Sequence, residues 1–158
     1  MLLLRACHCG GILVSLDDSK KYQFFEHTAD AKFRAFGKSL EEAYTNAAYA
    51  LVSLMWDREK IERKVRLQVH IQGRDLEQLL VNFLEEILYL LDSRMFLLNG
   101  VEKIEIQRGV DFYKLDGIFL GDYSGEQYDP FGDVKAITYD EIEIHSNDLV
   151  MVQVVVDV

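Results

Sequence analysis

Twice in this chain a strand-like segment meets a glycine, a helix-capping residue and then an amphipathic helix, and the two copies are in step. Gly37-Lys38-Ser39-Leu40-Glu41-Glu42 aligns with Gly73-Arg74-Asp75-Leu76-Glu77-Gln78 at an offset of 36, and Asn46 aligns with Asn82 at the same offset. In each copy the side-chain oxygen of Ser39 or Asp75 can accept an N–H three residues on, while Glu42 or Gln78 reaches back. Behind Ser39, the spacing of Leu40, Ala43, Tyr44, Ala47, Ala48, Leu51, Leu54 and Met55 predicts an amphipathic helix over residues 39 to about 56. Behind Asp75, Leu76, Leu79, Leu80, Phe83, Leu84, Ile87, Leu88 and Leu91 line the buried face of a second. An old duplication and convergent capping chemistry explain the likeness equally well, and two copies do not make a solenoid.

The strands read less sharply. Val65, Leu67, Val69 and Ile71 alternate with Arg66, Gln68, His70 and Gln72, the pattern of a strand wet on one face. Residues 21–27 and 31–36 read as two short strands. Beyond Arg94, strands are expected near 96–98, 101–107, 110–123, 134–144 and 149–157, joined by Asn99-Gly100, Arg108-Gly109 and Ser146-Asn147. Helices early and strands late predict an α+β fold. It is expected to be a single two-layer domain over residues 21–158, a mixed or antiparallel β-sheet with both helices packed on one face. Residues 1–20 show no sustained period and read as an irregular, dispensable extension.

Charge narrows the function classes. The chain carries 27 acidic against 17 basic residues, a formal charge of −10. Nucleic-acid affinity comes mainly from Lys and Arg neutralising phosphates, so strong direct RNA or DNA binding is not expected. An acidic surface suits a basic protein partner or a hard cation, or simply serves solubility. No apolar run approaches the roughly 18 residues that span a bilayer. Met1-Leu2-Leu3-Leu4-Arg5 is too short and too soon charged for a secretory signal. The expected compartment is the cytoplasm. Cys7 and Cys9 flank His8, but a closed metal site needs about four ligands and no second pair follows, so reduced thiols are expected.

Three stretches are candidates for chemistry. Glu26-His27-Thr28-Ala29-Asp30 joins the first two strands, and either presents a carboxylate and an imidazole or forms a turn in which Asp30 bonds nearby backbone N–H groups. Asp157 shares a strand face with Met151 and Val155, where a carboxylate is costly unless paired or metal-bound. The terminal carboxylate of Val158 is a second anion one residue away, so a cation between them would relieve repulsion, the alternative being a solvated end. In residues 134–140 the apolar parity shifts between Tyr139 and Ile142, which suggests a bulge near Asp140. Lys135 is either a positioned cation or an edge-strand lysine. Residues 122–133 lack the Gly and Glu of a calcium loop, and Glu85-Glu86 lacks the His of a di-iron helix. Neither a phosphate loop nor a nucleophile motif occurs, so the protein is not expected to be an enzyme.

Taken in order, these pieces resemble the archease family. The resemblance rests on residues 26–30, on Gly37 with residues 39–43, and on residues 75–80 running into residues 83–89. It continues through Gly125-Glu126, Val134-Lys135-Ala136-Ile137-Thr138-Tyr139 and the closing Val156-Asp157-Val158. It implies a calcium-binding protein cofactor that promotes guanylylation and multiple turnover of the RtcB-type RNA ligase in tRNA splicing and RNA repair. The implied calcium ligands are Asp30, Asp157 and Val158. His27, Lys135 and Asp140 fall at positions implied to serve partner activation, Asp140 standing where the family often has His. Two other roles are open: a chaperone-like specificity modulator of an RNA-modifying enzyme such as a tRNA methyltransferase, or a metal-dependent hydrolase using Asp30, Asp140 and Asp157.

Overall fold

In the computed structural model, which describes residues 6–9, 12–15, 21–26 and 30–158, the chain begins with strands β1 (Ala6–Cys9), β2 (Ile12–Ser15), β3 (Tyr22–Phe25) and β4 (Asp30–Gly37). Helix α1 (Leu40–Ser53), β5 (Val65–Gly73) and helix α2 (Leu76–Arg94) follow. The chain ends with β6 (Phe96–Arg108), β7 (Tyr113–Tyr123), β8 (Ala136–Ser146) and β9 (Val150–Asp157). All pairings are antiparallel. The α+β class is as expected, but the main strands divide into two sheets, in orders β3-β4-β9-β8 and β5-β7-β6.

Both helices bury their apolar faces in one cluster fed by both sheets. It holds Phe33, Val152, Val154 and Val156 from the four-stranded sheet, and Val69, Ile71, Leu115 and Phe119 from the three-stranded one. Tyr44 of α1 donates to the Leu76 carbonyl at the start of α2 at 2.5 Å, and its ring stacks on Phe83, which meets Phe119 of β7.

The repeat read from the sequence is built into the backbone. Ser39 accepts from the Glu42 N–H at 3.1 Å, and Asp75 from the Gln78 N–H at 2.7 Å. The return arm lands one residue before the cap: Glu42 accepts from the Lys38 N–H at 2.9 Å, and Gln78 from the Arg74 N–H at 2.8 Å. Asn46 donates to the Phe36 carbonyl at 2.7 Å, as Asn82 does to the Gln72 carbonyl at 2.8 Å. A Cβ on Gly37 would strike the backbone nitrogen of Ala43, and one on Gly73 that of Leu79, so only glycine lets each strand turn so tightly onto its helix. Gly73→Ala is expected to cost about 1–3 kcal/mol through overpacking, read as a lower urea midpoint at unchanged m-value. Each unit is completed by a later hairpin whose second strand lies beside the first strand of the unit, β9 against β4 and β7 against β5. This nesting is why there are two sheets.

Two readings are corrected. β1 and β2 pair antiparallel, so residues 1–20 are not irregular throughout. Asn99-Gly100 is no turn between strands but part of the continuous β6, with register shifts on either side. Its side chain explains why. Asn99 donates to the carbonyls of Arg58 and Ile61 and accepts from Arg63 at 2.8 Å, so a buried amide serves as a bracket rather than a turn.

Candidate functional site

The four-stranded sheet ends in a carboxylate pair. Asp30, the first residue of β4, stands directly opposite Asp157, the last residue of β9. Both are half-buried, and Val158 beside them is 44% exposed. Like charges directly opposite on adjacent strands repel, and burial strengthens the effect. Further along the same face, Lys32 is opposite Val155 and Arg34 opposite Gln153. Arg34 donates to Gln153 at 2.9 Å, and Lys32 lies 3.6 Å from Glu141. Both faces of β9 are buried up to Asp157; the main core takes Val150, Val152, Val154 and Val156, so Asp157 lies on the other face with Met151, Gln153 and Val155.

Lys135 joins this end of the sheet through its backbone. Its N–H donates to the Asp157 carbonyl at 2.8 Å, and the next residue, Ala136, is the cross-strand partner of Asp157. The Lys135 side chain is exposed. The loop leading to it is tied down at two points. Tyr128 donates its hydroxyl to Asp122 at 2.7 Å and accepts from the Glu62 N–H at 3.1 Å. That bond, with the Tyr123 N–H, holds the Asp122 carboxyl below its usual range. Phe131 and Gly132 then donate their N–H groups to the Met55 carbonyl just past α1, at 2.9 and 3.3 Å.

Asp140 is not brought to the pair. The bulge expected from the parity shift is present: the register with β9 breaks between Thr138 and Glu143, and Glu141 adopts φ 50°. Ala136 faces Asp157, whereas Asp140 falls inside this break, where five residue steps on β8 are matched by two on β9. Asp30, Asp140 and Asp157 are not gathered into a metal-holding group of the kind a metal-dependent hydrolase needs. His27 lies outside the described residues. Among the described residues no three His, Cys, Asp or Glu side chains gather into a metal-holding group. The remaining donor set is Asp30, Asp157 and the terminal group of Val158, all hard oxygens of the kind calcium takes. Gln153 was not foreseen as part of this face. It is 2% exposed and also donates to the Glu141 carbonyl at 2.7 Å across the bulge. The only sequence signal for it was a lone Gln amid six apolar residues.

This geometry defines a small α+β protein with a paired-carboxylate end to one sheet. Comparison with known proteins gives the family. The profile of the Archease protein family (MTH1598/TM1083) matches residues 22–158, and the chain belongs to that family. It is 40% identical to Protein archease of Pyrococcus furiosus over 126 residues, 79% of this chain and 88% of that one. Protein archease of Methanosarcina acetivorans is 37% identical over 143 residues, 88% and 97% of the two chains. The solution structure of Methanobacterium thermoautotrophicum protein 1598 superposes with a TM-score of 0.76 at 32% identity, covering 88% of this chain and 99% of that one. A Thermotoga maritima crystal structure, described as an archease and possible chaperone, shares the fold with a TM-score of 0.55 at 20% identity, covering 85% and 94%. No helix among the described residues is long and apolar enough to cross a membrane.

Proposed function

We propose that this protein is a non-catalytic, cytoplasmic cofactor of an RtcB-type RNA ligase, promoting the ligase's guanylylation and so its multiple turnover in tRNA splicing and RNA repair. The observation that carries the reading is the register of Asp30 on Asp157, with Lys135 hydrogen-bonded to the same residue, in a chain of the archease family. Asp30, Asp157 and the Val158 carboxylate or carbonyl would hold calcium or another divalent cation. Such an ion supplies positive charge that stabilises phosphate oxygens during nucleotidyl transfer. The chain's own part is to hold two carboxylates at a fixed spacing and to present Lys135 beside them. The test mixes ligase, GTP and cleaved RNA with and without this protein and counts ligated product per ligase. Many products per ligase are expected with it and about one without. Equal turnover in both would remove the reading, as would phosphoester hydrolysis by the purified chain alone.

The role of Val158 has its own test. Calcium affinity in roughly the 10⁻⁶–10⁻⁴ M range is expected for a site of this charge. At a hundredfold excess over that constant, binding adds about 2.7 kcal/mol of stability. Appending a few residues after Val158 removes the terminal anion and touches no other side chain, so the calcium-dependent rise in melting temperature should shrink. An undiminished rise would exclude the Val158 carboxylate as a ligand.

A further inference from the structure

The repeat has one part missing. In the first unit the outer edge of β4 is covered by β3, which pairs Tyr22 with Ala35, Gln23 with Arg34, Phe24 with Phe33 and Phe25 with Lys32. In the second unit β5 ends its sheet, and no strand among the described residues pairs with its outer edge. The offset of 36 carries Lys32–Ala35 onto Gln68–Ile71, and places the Gln72 N–H where the Phe36 N–H donates to the Lys21 carbonyl at 2.9 Å. An open groove of about 350 Å³ lies at this edge, lined by His70, Ile71 and Gln72 of β5 and by Asn82, Glu85, Glu86 and Tyr89 of α2. A strand edge beside a helix is a recurrent seat for an added peptide strand, because its unpaired backbone groups offer hydrogen bonds to any extended chain.

Charge says what would sit there. Lys21, at the start of β3, lies 5.8 Å from the centroid of the Tyr49 ring on α1. The residue equivalent to Tyr49 on α2 is Glu85. A cation in the position of Lys21 would therefore meet a carboxylate rather than a ring. Glu86 beside it is half-buried, and desolvation, opposed only by Arg94, raises its carboxyl above the usual range, so an incoming cation would be favoured there too. Tyr89, 60% exposed, offers an aromatic face at the same groove.

We infer that the β5 edge is a docking site for an extended, basic segment of a protein partner, which adds to the sheet antiparallel to β5 opposite residues 68–71 and sets a Lys or Arg against Glu85 and Glu86. The site lies in the opposite half of the repeat from Asp30 and Asp157, so it stands or falls separately from the proposed function.

The probe is the acetylated, amidated peptide Lys-Tyr-Gln-Phe-Phe, the sequence of residues 21–25, which already fills the equivalent place. With the full chain at physiological salt, binding is expected to slow amide exchange at residues 68–72 and to shift their amide resonances. Glu85→Lys, on the exposed face of α2, should weaken binding roughly tenfold, more than a single surface ion pair because the charge is reversed. A peptide N-methylated at alternate residues should not bind. The inference is overturned by three results: no binding up to about 1 mM, a level corresponding to about −4 kcal/mol; changes confined to β4, meaning the peptide has displaced β3; or protection of β5 without peptide in a dimer seen by sedimentation.

Discussion

Asp30→Asn and Asp157→Asn are each expected to abolish activation of the ligase while leaving the fold intact. Asn keeps the volume and part of the hydrogen-bonding capacity and removes only the charge, so packing at the end of the sheet should change little. In Asp157→Asn, removing one of two opposed anions also relieves repulsion between β4 and β9, so thermal stability of that variant without calcium should stay level or rise. With calcium the sign reverses, and the parent's gain of about 2.7 kcal/mol at a hundredfold excess over the dissociation constant should largely vanish. Lys135→Ala separates the two contributions. Its backbone N–H still donates to Asp157, so calcium stabilisation should persist while activation weakens. Product per ligase, with circular dichroism as the check on folding, decides the matter. Many turnovers with both Asn variants would mean that the pair is only structural.

The sequence revealed most where one local pattern decides the structure. Capping residues, helical spacing and strand alternation needed no tertiary information, and α1, α2 and β5 formed where those signals lay. The bulge near Asp140 was likewise legible, because a parity break has few other causes. Partnership between distant segments was not legible. Nothing in residues 96–108 distinguishes a turn at Asn99-Gly100 from a bulge, since the deciding hydrogen bonds come from Arg58, Ile61 and Arg63. For the site, Asp30 and Asp157 could be named singly, but their opposition depends on β4 pairing with β9 across nearly the whole chain. The split into two sheets was hidden for the same reason: each hairpin could have paired with either strand-helix unit, and the choice is made by packing around both helices.

Replacing Trp56 should cause the largest loss of stability, and its effect should reach Lys135. The indole is 2% exposed and donates to the Leu98 carbonyl on β6 at 2.9 Å, fixing the end of α1 to the three-stranded sheet. The adjacent Met55 carbonyl holds the N–H groups of Phe131 and Gly132, and that loop delivers Lys135 to Asp157. Trp56→Ala is expected to cost about 3–5 kcal/mol. In a chain of this length that lowers the melting temperature by about 10 °C or more. Trp56→Phe retains most of the apolar volume and leaves the Leu98 carbonyl unpaired, so it should cost less, about 1–3 kcal/mol. Below their melting temperatures the two variants should also differ from the aspartate variants in kind. The Asp30–Asp157 register depends on β4 and β9, so calcium stabilisation should survive, whereas activation of the ligase should fall as the loop before Lys135 loosens. Thermal midpoints by circular dichroism, with and without calcium, and product per ligase below the midpoint give both readouts. A midpoint for Trp56→Ala within a degree or two of the parent would show that α1 is anchored elsewhere, and unchanged activation would show that Lys135 does not depend on this loop.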